Sequence, residues 1–291
     1  MKKFDRTETK NRKILDLEKI GFDDFYIAGF QKIKSVEDSK EMQTHTDMIE
    51  ILYIDKGLQY YKLGQKELML NGGDILIIPP EKRHGTNNHP EDTANLFWIA
   101  FKIPKNRNRL LNLPLIETKH LINTFLNLPS CHFKGNAKIA TTFSKIFEYY
   151  DLNEKVNSKI HLTSLFLQLL LIVIDASHKN KMDNSPSQEI SNIANYIKNN
   201  PRKELSISYL SDLINLSESR FKHRFKKEIG IPPGEFIMRN KINYAKENFS
   251  NYDSIQDLAF ALEFSSSNYF ASVFKKYTGS TPTEYCKDTL S

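Results

Sequence analysis

Short runs of β-branched and aromatic residues recur between residues 45 and 101 and are separated by turn sequences. The runs are IEILYID, DILIIPP and NLFWIAF, and the turns are DKG, LGQ and NGG. Regularly spaced short strands with such turns are typical of a β-barrel or a β-sandwich. The pattern therefore predicts a sheet-rich unit in the first half of the chain.

Helical periodicity replaces this pattern further along the chain. Apolar positions recur at helical spacing over 137–152 and 158–176, and again throughout the last hundred residues. The polar, pattern-free segment 177–188 separates the two halves, and we interpret it as a flexible linker. The predicted fold class is α+β with two domains: a β-barrel with following helices over 1–176, and an all-α domain over 189–291.

The helices of the second domain are bounded by recognisable residues. Ser217 and Ser254 are placed to cap helix N-termini, and Gly230 and Gly279 are placed to end helices. We predict six helices, at 189–199, 206–214, 217–229, 234–249, 254–262 and 267–277.

Two stretches of this domain repeat one another. Five landmarks share an offset of 49 residues, and two upstream apolar positions share an offset of 48. Each stretch has the pattern of a short helix, a turn and a second helix, which is the helix-turn-helix arrangement. The matched pairs are Phe221 with Phe270, Phe225 with Phe274, Gly230 with Gly279, Pro233 with Pro282, Phe236 with Tyr285, Leu210 with Leu258, and Leu216 with Phe264.

The second helix of each unit presents a polar and basic face opposite its phenylalanines. Short polar groups reach base edges in a major groove, and lysines neutralise phosphates. A single face of this kind is more often merely solvated, but two similar faces in a repeat favour binding to double-stranded DNA. The candidate DNA-binding residues are Ser219, Arg220, Lys222, His223, Lys226, Lys227, Ser267, Asn268, Ser272, Lys275 and Lys276.

The segment between the two units fits this interpretation. PPGEFIMRNKINYAKENFSN has the pattern of a helix with proline at its start. About seventeen helical residues span about 25 Å, and major-groove segments on one side of DNA recur every roughly 34 Å. With the width of the flanking helices added, one chain can place two recognition helices in successive major grooves.

Composition adds limits on compartment and partners. The 291 residues carry a net charge of +6, which weakly favours a polyanionic partner, and only two cysteines, which favours a reducing compartment. The N-terminus lacks the apolar core of a signal peptide. The most apolar run, 162–174, is shorter than the roughly twenty residues of a membrane span. We expect a cytoplasmic protein without a membrane segment.

The repeat resembles the DNA-binding domain of the AraC/XylS family of transcription regulators. LSDLINLSESRFKHRFKKEIGIPPGEF is similar to the family's first helix-turn-helix, and IQDLAFALEFSSSNYFASVFKKYTGSTPTEY to its second, over about 190–287. The resemblance implies a transcription regulator, usually an activator, that binds about twenty base pairs. Two positions depart from the family pattern. Glu263 stands where the family commonly has glycine in the second turn, and Cys286 stands where it often has arginine.

Residues 45–101 resemble a cupin barrel, the usual sensor domain of that family. HTDMIE is similar to the first cupin motif and GDILIIPPEKRH to the second. The resemblance implies that the polar groups His45, Glu50 and His84 line a ligand pocket, with structural hydrogen bonds as the second interpretation. A metal site formed by these three residues and Asp47, which replaces a usual histidine ligand, is the third. No metal or other cofactor is expected.

Trp98, the single tryptophan, is a candidate for stacking on a sugar ring, although a role as a core aromatic is the more common one. Phe97 and Tyr60 are alternative pocket residues, because the sequence alone does not determine the strand register and therefore which side chains face inward. The apolar helix 158–176 is expected to form a homodimer seam, as in the family, or to pack on the barrel of its own chain.

These observations predict a ligand-responsive regulator that is not an enzyme. By resemblance, it would activate a sugar-utilisation or related metabolic operon through RNA polymerase. The expected effector is a small polar molecule, with a sugar as the first choice. A metal-dependent cupin dioxygenase or isomerase is the main alternative. A DNA-binding protein that responds to no ligand is the other. The sequence contains no nucleophile elbow, no phosphate-binding loop and no zinc-finger spacing.

Overall fold

The computed structural model describes residues 5–37, 39–86, 89–104, 109–152, 155–183 and 187–290. The chain divides into two compact units. The first comprises Met1–Lys34 and Ser39–Asn184, and the second comprises Ser35–Asp38 and Ser185–Ser291.

The first unit is built on an antiparallel sheet with the strand order β1-β2-β7-β3-β5-β8, in which β4 and β6 also pair with β3. Strands β1, β2 and β8 were not predicted, because they lie outside the residues 45–101 whose pattern predicted strands. The strands are β1 (Arg12–Asp16), β2 (Phe25–Ile33), β3 (Met48–Leu63), β4 (Lys66–Asn71), β5 (Asp74–Ile78), β6 (His84–Gly85), β7 (Ala94–Lys102) and β8 (His132–Lys134).

The long strand β3 joins the two parts of this sheet. Its first half pairs with β5 and β7, and its second half pairs with β4 and β6. Side chains alternate along the strand, so Ile49 and Ile51 join the core that faces the helices, whereas Met48 and Leu52 join the core on the opposite side of the sheet. Glu50 lies between Met48 and Leu52 on that second, inner side.

Three helices follow the strands: α1 (Leu115–Leu126), α2 (Ala137–Leu152) and α3 (Lys155–Asp183). The predicted α2 has the observed limits. The α3 helix is longer than predicted, and it includes residues 177–183 of the segment that was interpreted as a linker. That prediction is therefore wrong for 177–183. The reason is that polar residues form a helix when they extend an apolar helix already held by its core contacts.

The α3 helix illustrates why apolar length alone is ambiguous. By length and composition, Asn157–Lys179 would suffice to cross a membrane, so the shortness of the apolar run 162–174 does not exclude a span. In the structure one side of the helix is buried in the core of the unit, where Phe166 stacks on Phe25 with ring centroids 4.5 Å apart. This burial supports the interpretation of α3 as a core helix.

In the second unit, the regular secondary structure described between residues 187 and 290 is helical. Its predicted helices are all present, with limits shifted by one or two residues, and a last helix was not predicted. They are α4 (Gln188–Asn199), α5 (Ile207–Asp212), α6 (Glu218–Ile229), α7 (Pro233–Asn248), α8 (Ile255–Ala261), α9 (Ser267–Thr278) and α10 (Pro282–Leu290).

The predicted caps are confirmed. Ser217 accepts a hydrogen bond from the backbone N–H of Arg220, and Ser254 accepts one from Asp257. Gly230 and Gly279 end α6 and α9 with φ angles of 96° and 86°, in the left-handed region that favours glycine.

The repeat seen in the sequence is also a repeat of packing. The ring centroids of Phe221 and Phe225 lie 5.5 Å apart, and those of Phe270 and Phe274 lie 5.6 Å apart. In the first helix-turn-helix, Phe225 also contacts Phe236 of the following helix, with ring centroids 5.4 Å apart. In the second, Phe274 contacts Tyr285 in the same way, also at 5.4 Å. The α7 helix contacts both α6 and α9 and so connects the two helix-turn-helix units.

Candidate nucleic-acid interface and ligand cavity

The turns of the two helix-turn-helix units have the same backbone conformation. Asn215 and Glu263 occupy equivalent positions, with φ angles of 52° and 57°. In the first turn the N–H of Leu216 donates to the carbonyl of Ser211 at 3.0 Å, and in the second the N–H of Phe264 donates to that of Ala259 at 3.0 Å. Left-handed backbone at a residue other than glycine costs about 1–2 kcal/mol. Asn215 and Glu263 therefore carry a backbone strain that a glycine at either position would avoid.

All six candidate residues on α6 are exposed, as predicted: Ser219, Arg220, Lys222, His223, Lys226 and Lys227. Lys222 forms an ion pair of 3.0 Å with Glu218 one turn earlier, so part of its charge is balanced within the helix. Arg220, His223, Lys226 and Lys227 present their side chains outward from the Phe221–Phe225 core. The helix thus offers both basic groups and a histidine on one exposed surface.

Arg224 also lies on α6 and is basic, but its side chain is held by other residues of the same domain. It pairs with Glu228 at 2.9 Å and with Glu189 at 2.7 Å, and it donates a 2.9 Å hydrogen bond to the hydroxyl of Ser187. Its pKa is raised by the hydrogen bonds to Glu228 and Glu189. Arg224 therefore joins α4 to α6, and its charge is engaged within the unit.

On α9, Asn268, Ser272, Lys275 and Lys276 are exposed, whereas Ser267 is half-buried. The hydroxyl of Ser272 donates a 3.0 Å hydrogen bond to the carbonyl of Asn268, so this donor is already used within the helix. The amide of Asn268 points away from the core near the helix N-terminus. Among the predicted residues of this helix, Asn268 is the best placed to reach a base edge.

Tyr269 is a candidate that the sequence analysis missed. It follows Asn268, and 49% of its surface is exposed, although its neighbour Phe270 is fully buried. The sequence signal that could have identified Tyr269 is an aromatic residue directly beside Phe270, an apolar position of the repeat, rather than at such a position. An exposed tyrosine at the start of a recognition helix offers both a hydroxyl and an apolar ring to a groove.

The first unit contains a cavity of about 410 Å³ on the inner side of its sheet. Its wall combines four apolar or aromatic side chains with nine charged or hydrogen-bonding ones. This lining is more polar than the predominantly apolar wall of a typical small-molecule pocket. The lining residues are Asp5, Arg12, Lys40, Glu41, Gln43, Glu50, Leu52, Gln59, Tyr61, Gly85, Thr86, Glu91, Leu96 and Trp98.

Of the four predicted ligand-binding residues, Glu50 and Trp98 line this cavity, whereas His45 and His84 do not. Phe97 faces the helices instead, in contact with Phe143 at 5.0 Å, and Tyr60 stacks on His89 at 4.8 Å.

The indole of Trp98 is largely buried. A Cβ atom at Gly29 would collide with the ring, so the indole lies directly on the backbone of β2. The guanidinium of Arg12 lies 5.4 Å from the ring centroid. Trp98 is therefore both a core residue and a wall of the cavity, and stacking on a ligand at this position would require Arg12 to move.

Sequence analysis also missed the charged groups of the cavity. Arg12 lies on β1, where it pairs with Asp5, and Lys40 forms a 2.8 Å ion pair with Glu91. The amide nitrogen of Gln59 donates to the carbonyl of Asp92 at 2.7 Å. These residues lie on segments without a cupin motif, so only the tertiary structure brings them to one cavity.

Three buried side chains, one of them Glu50, converge next to this cavity. One donor atom from each of His45, Glu50 and His84 lies within 4.8 Å of the others. The fourth member of the predicted set, Asp47, does not join them, and it lines a separate cavity with Asp24. The two motifs thus bring together three of the four candidate ligands.

The two histidines differ in electrostatics. Burial lowers the pKa of His45, although Glu50 opposes this effect. Burial also disfavours the charged form of His84, but the Glu50 carboxylate and the Lys82 carbonyl outweigh it and raise the pKa of His84. The Nε2 atom of His84 and the Oε2 atom of Glu50 lie 3.3 Å apart.

Comparison with known proteins identifies both units. The family model described as "AraC-like ligand binding domain" matches residues 37–170, and the model described as "Helix-turn-helix domain" matches residues 210–288.

Similar whole-length proteins are found in Escherichia coli. The uncharacterized HTH-type transcriptional regulator YdiP of strain K12 is 22% identical over 255 residues, which cover 83% of this chain and 79% of YdiP. The HTH-type transcriptional activator RhaS of the same strain is 21% identical over 236 residues, which cover 80% of this chain and 82% of RhaS. Among solved structures, the C-terminal domain of the response regulator yesN from Fusobacterium nucleatum is 29% identical. The match covers 34% of this chain and 98% of the yesN domain, with a TM-score of 0.32.

Proposed function

Because this chain belongs to the AraC family of transcription regulators, we propose that it regulates transcription by placing α6 and α9 in successive major grooves of one operator. The observation that carries this proposal is the pair of equivalent turns at Asn215 and Glu263, each followed by a helix with an exposed polar face. Shared turn geometry orients the two helices alike with respect to their own units, and α7 contacts both.

Selection of binding sites from random DNA by the full-length protein tests this proposal. Two helices in successive grooves should select two short sequence blocks about one helical turn, 10–10.5 base pairs, apart. A double substitution of His223 and Lys226 by alanine should erase one block and leave the other. A single block, or two blocks that both disappear, would contradict independent reading by the two helices.

The cavity of the first unit is the proposed effector site. Its combination of Arg12, Lys40, Gln59 and Glu91 with the indole of Trp98 supports a small, polar, hydroxyl-rich effector, and a sugar is our first choice. A thermal-shift screen of the full-length protein against monosaccharides and sugar acids tests this. A ligand present at 100 times its dissociation constant adds about 2.7 kcal/mol to the free energy of unfolding. Glu91→Gln should reduce the shift, whereas the exposed Glu117→Gln should not.

The regulatory outcome is proposed as activation of a metabolic operon in the cytoplasm, through contact with RNA polymerase. The similarity to RhaS, which is described as an activator, supports this direction. Transcription in vitro with and without the protein on the selected operator decides between activation and repression.

We further propose that the protein acts as a homodimer joined through α3. This helix carries exposed apolar side chains at Ile160 and Leu171, three turns apart on one side, with the half-buried Leu167 between them. An apolar stripe of this kind is typical of a helix that packs against another helix.

A further inference from the structure

The group formed by His45, Glu50 and His84 is assembled by backbone pairing. His84 lies on β6, where it pairs with Leu63 of β3, and its main chain also exchanges two hydrogen bonds with Gln43, of 2.8 and 2.9 Å. This second pairing holds the segment that carries His45 beside β6. Glu50 enters from the first half of β3. All three residues are more than nine-tenths buried, with 5%, 6% and 0% of their surfaces exposed.

The hydrogen bonding of His84 determines what its other nitrogen offers. Its Nδ1 lies 2.8 Å from the carbonyl oxygen of Lys82, and because a carbonyl only accepts, Nδ1 carries the proton. In the neutral ring Nε2 then presents a lone pair toward the group. A histidine whose outer nitrogen is fixed by a backbone carbonyl is the usual arrangement of a metal ligand.

That lone pair faces a second acceptor. Glu50 Oε2 lies 3.3 Å from His84 Nε2, and neither atom has a hydrogen bond of acceptable geometry among the residues described. A buried carboxylate oxygen and a buried lone pair are unfavourable at this distance unless a cation lies between them. The cation can be a proton on Nε2 or a metal ion.

We propose that His45, Glu50 and His84 bind one divalent ion of the first transition row, such as Zn²⁺. Two imidazoles and one carboxylate form a ligand set that such ions accept, with further positions left open. Bonds of about 2.0–2.2 Å place two ligands of a tetrahedral ion roughly 3.4 Å apart, close to the 3.3 Å between His84 and Glu50. Because Glu50 also lines the cavity, an ion at this site lies beside the effector cavity.

Titration of the full-length protein with Co²⁺ tests the proposal. The protein is purified without a metal column, treated with a chelator, and followed by visible absorption. One equivalent of Co²⁺ per chain should produce d–d absorption bands, and Zn²⁺ should displace it. In protein labelled with ¹⁵N at its eight histidines, the ring signals of two should move on addition of one equivalent of Zn²⁺. Glu50→Gln should lower the affinity for Co²⁺ at least about 100-fold. Loss of a residue that only hydrogen-bonds to a metal ligand already costs up to about 100-fold, and Glu50 is proposed to be a ligand itself.

Two control variants assign the site. Glu117→Gln removes an exposed carboxylate and His120→Gln removes an exposed histidine, both outside the group; both should retain the wild-type affinity for the ion. If Glu50→Gln fails to fold, the wild-type absorption and histidine signals still decide. Absence of absorption bands and of histidine shifts at millimolar Co²⁺ and Zn²⁺ would overturn the proposal and leave a proton between His84 and Glu50. Equal binding by folded Glu50→Gln would do the same. DNA binding by the same samples reports on the second unit and is independent of either result.

Discussion

The side-chain nitrogen of Lys241 donates a 2.7 Å hydrogen bond to the main-chain carbonyl of Leu262. Lys241 lies on α7, between the two helix-turn-helix repeats. Leu262 directly follows α8, the first helix of the second repeat. The lysine is buried, and burial lowers its pKa although Glu263 and Glu204 favour its charged form. This contact connects α7 to the turn in which Glu263 takes a left-handed conformation.

We expect Lys241→Met to weaken the second helix-turn-helix unit. The substitution keeps the apolar stem but leaves the carbonyl of Leu262 without its lysine donor, and loss of a buried hydrogen bond costs about 1–3 kcal/mol. Hydrogen exchange should show faster opening of α8 and α9, with α4 and α5 unchanged. Glu247→Gln, at an exposed position of the same helix, is the control. Equal protection in wild type and Lys241→Met would show that α7 does not brace this turn.

The α6 helix is proposed both to contact phosphates and to read bases, and single substitutions separate these two roles. Lys226→Ala should weaken binding to specific and random DNA alike and reduce the salt dependence by about 0.9 in slope, because one phosphate contact is lost. His223→Ala should instead reduce the preference for the operator. Lys222→Ala is expected to act less strongly than its exposure suggests, since Lys222 is paired with Glu218. Filter-binding titrations at several salt concentrations measure all three, and identical losses for His223→Ala and Lys226→Ala would contradict the assignment.

Asn268→Ala should reduce discrimination at one A·T pair by roughly 1–3 kcal/mol, because asparagine is suited to a paired contact with adenine. Ser272→Ala should have a smaller effect, since its hydroxyl already donates to the Asn268 carbonyl. The exposed Gln256, on the first helix of the same unit, serves as the control. Sequencing of selected sites for each variant measures the preference, and an unchanged profile for Asn268→Ala would remove this residue from base reading.

Most of the second unit could be predicted from the sequence. Its signals are local: serine caps such as Ser217, glycine ends such as Gly230, and phenylalanines at helical spacing, all of which act within a few residues. Equivalence of the two turns followed from the repeat alone. What sequence could not supply was the internal use of polar groups. Arg224 resembles the other basic residues of α6, and only the positions of Glu189 and Ser187 on another helix show that it is engaged.

The first unit was predicted less completely, for a physical reason. Its cavity is formed by residues far apart in the chain, such as Arg12 on β1 and Glu91 before β7, so no local pattern identifies them. The strand register decides that Trp98 faces the cavity and Phe97 faces the helices, and a shift of one residue would exchange them. The motif residues His45, Glu50 and His84 were recognisable, but the exclusion of Asp47 from their group depends on the fold.

Asp74 provides a test of electrostatics in the first unit. Burial opposes its ionisation, but hydrogen bonds from His132, Lys134 and the backbone of Asn71 outweigh this effect and lower its pKa below the ordinary value of 3.8. Because the folded pKa is lowered, the stabilisation is fully present above that ordinary pKa and is lost as pH falls below it.

Asp74→Asn should therefore lower the free energy of unfolding by about 1–3 kcal/mol at neutral pH. The difference from wild type should shrink as pH falls below about 4. Trp98 is the single tryptophan and lies in this unit, so its fluorescence follows unfolding of the unit specifically. Asp55→Asn is a matched control on the neighbouring strand β3. A difference between Asp74→Asn and wild type that does not depend on pH would show that the effect comes from packing rather than from ionisation.

The dimer proposal makes the last prediction. Leu171 is 49% exposed and Ile160 is 64% exposed, whereas Leu167 packs partly against the core of its own unit. Charged substitution at Leu167 would therefore disturb folding as well as association. Substitution of Ile160 and Leu171 by glutamate should separate the subunits with little effect on the Trp98 signal. The exposed Gln168→Glu adds one glutamate to the same helix, away from these two apolar positions, and serves as the control.

If the dimer raises the effective concentration of the second DNA-binding unit, the Ile160→Glu, Leu171→Glu variant should lose roughly 10²–10⁴-fold in operator affinity. Its affinity should then approach that of the isolated fragment 186–291, which we expect to bind without any response to the effector. Ligand control requires two arrangements with different effector affinity, and a monomer lacks the arrangement between two chains. Analytical ultracentrifugation and operator titration on the same folded sample decide the matter. A variant that stays dimeric, or one that becomes monomeric with full affinity and full effector response, would show that α3 does not join the subunits in the regulatory complex.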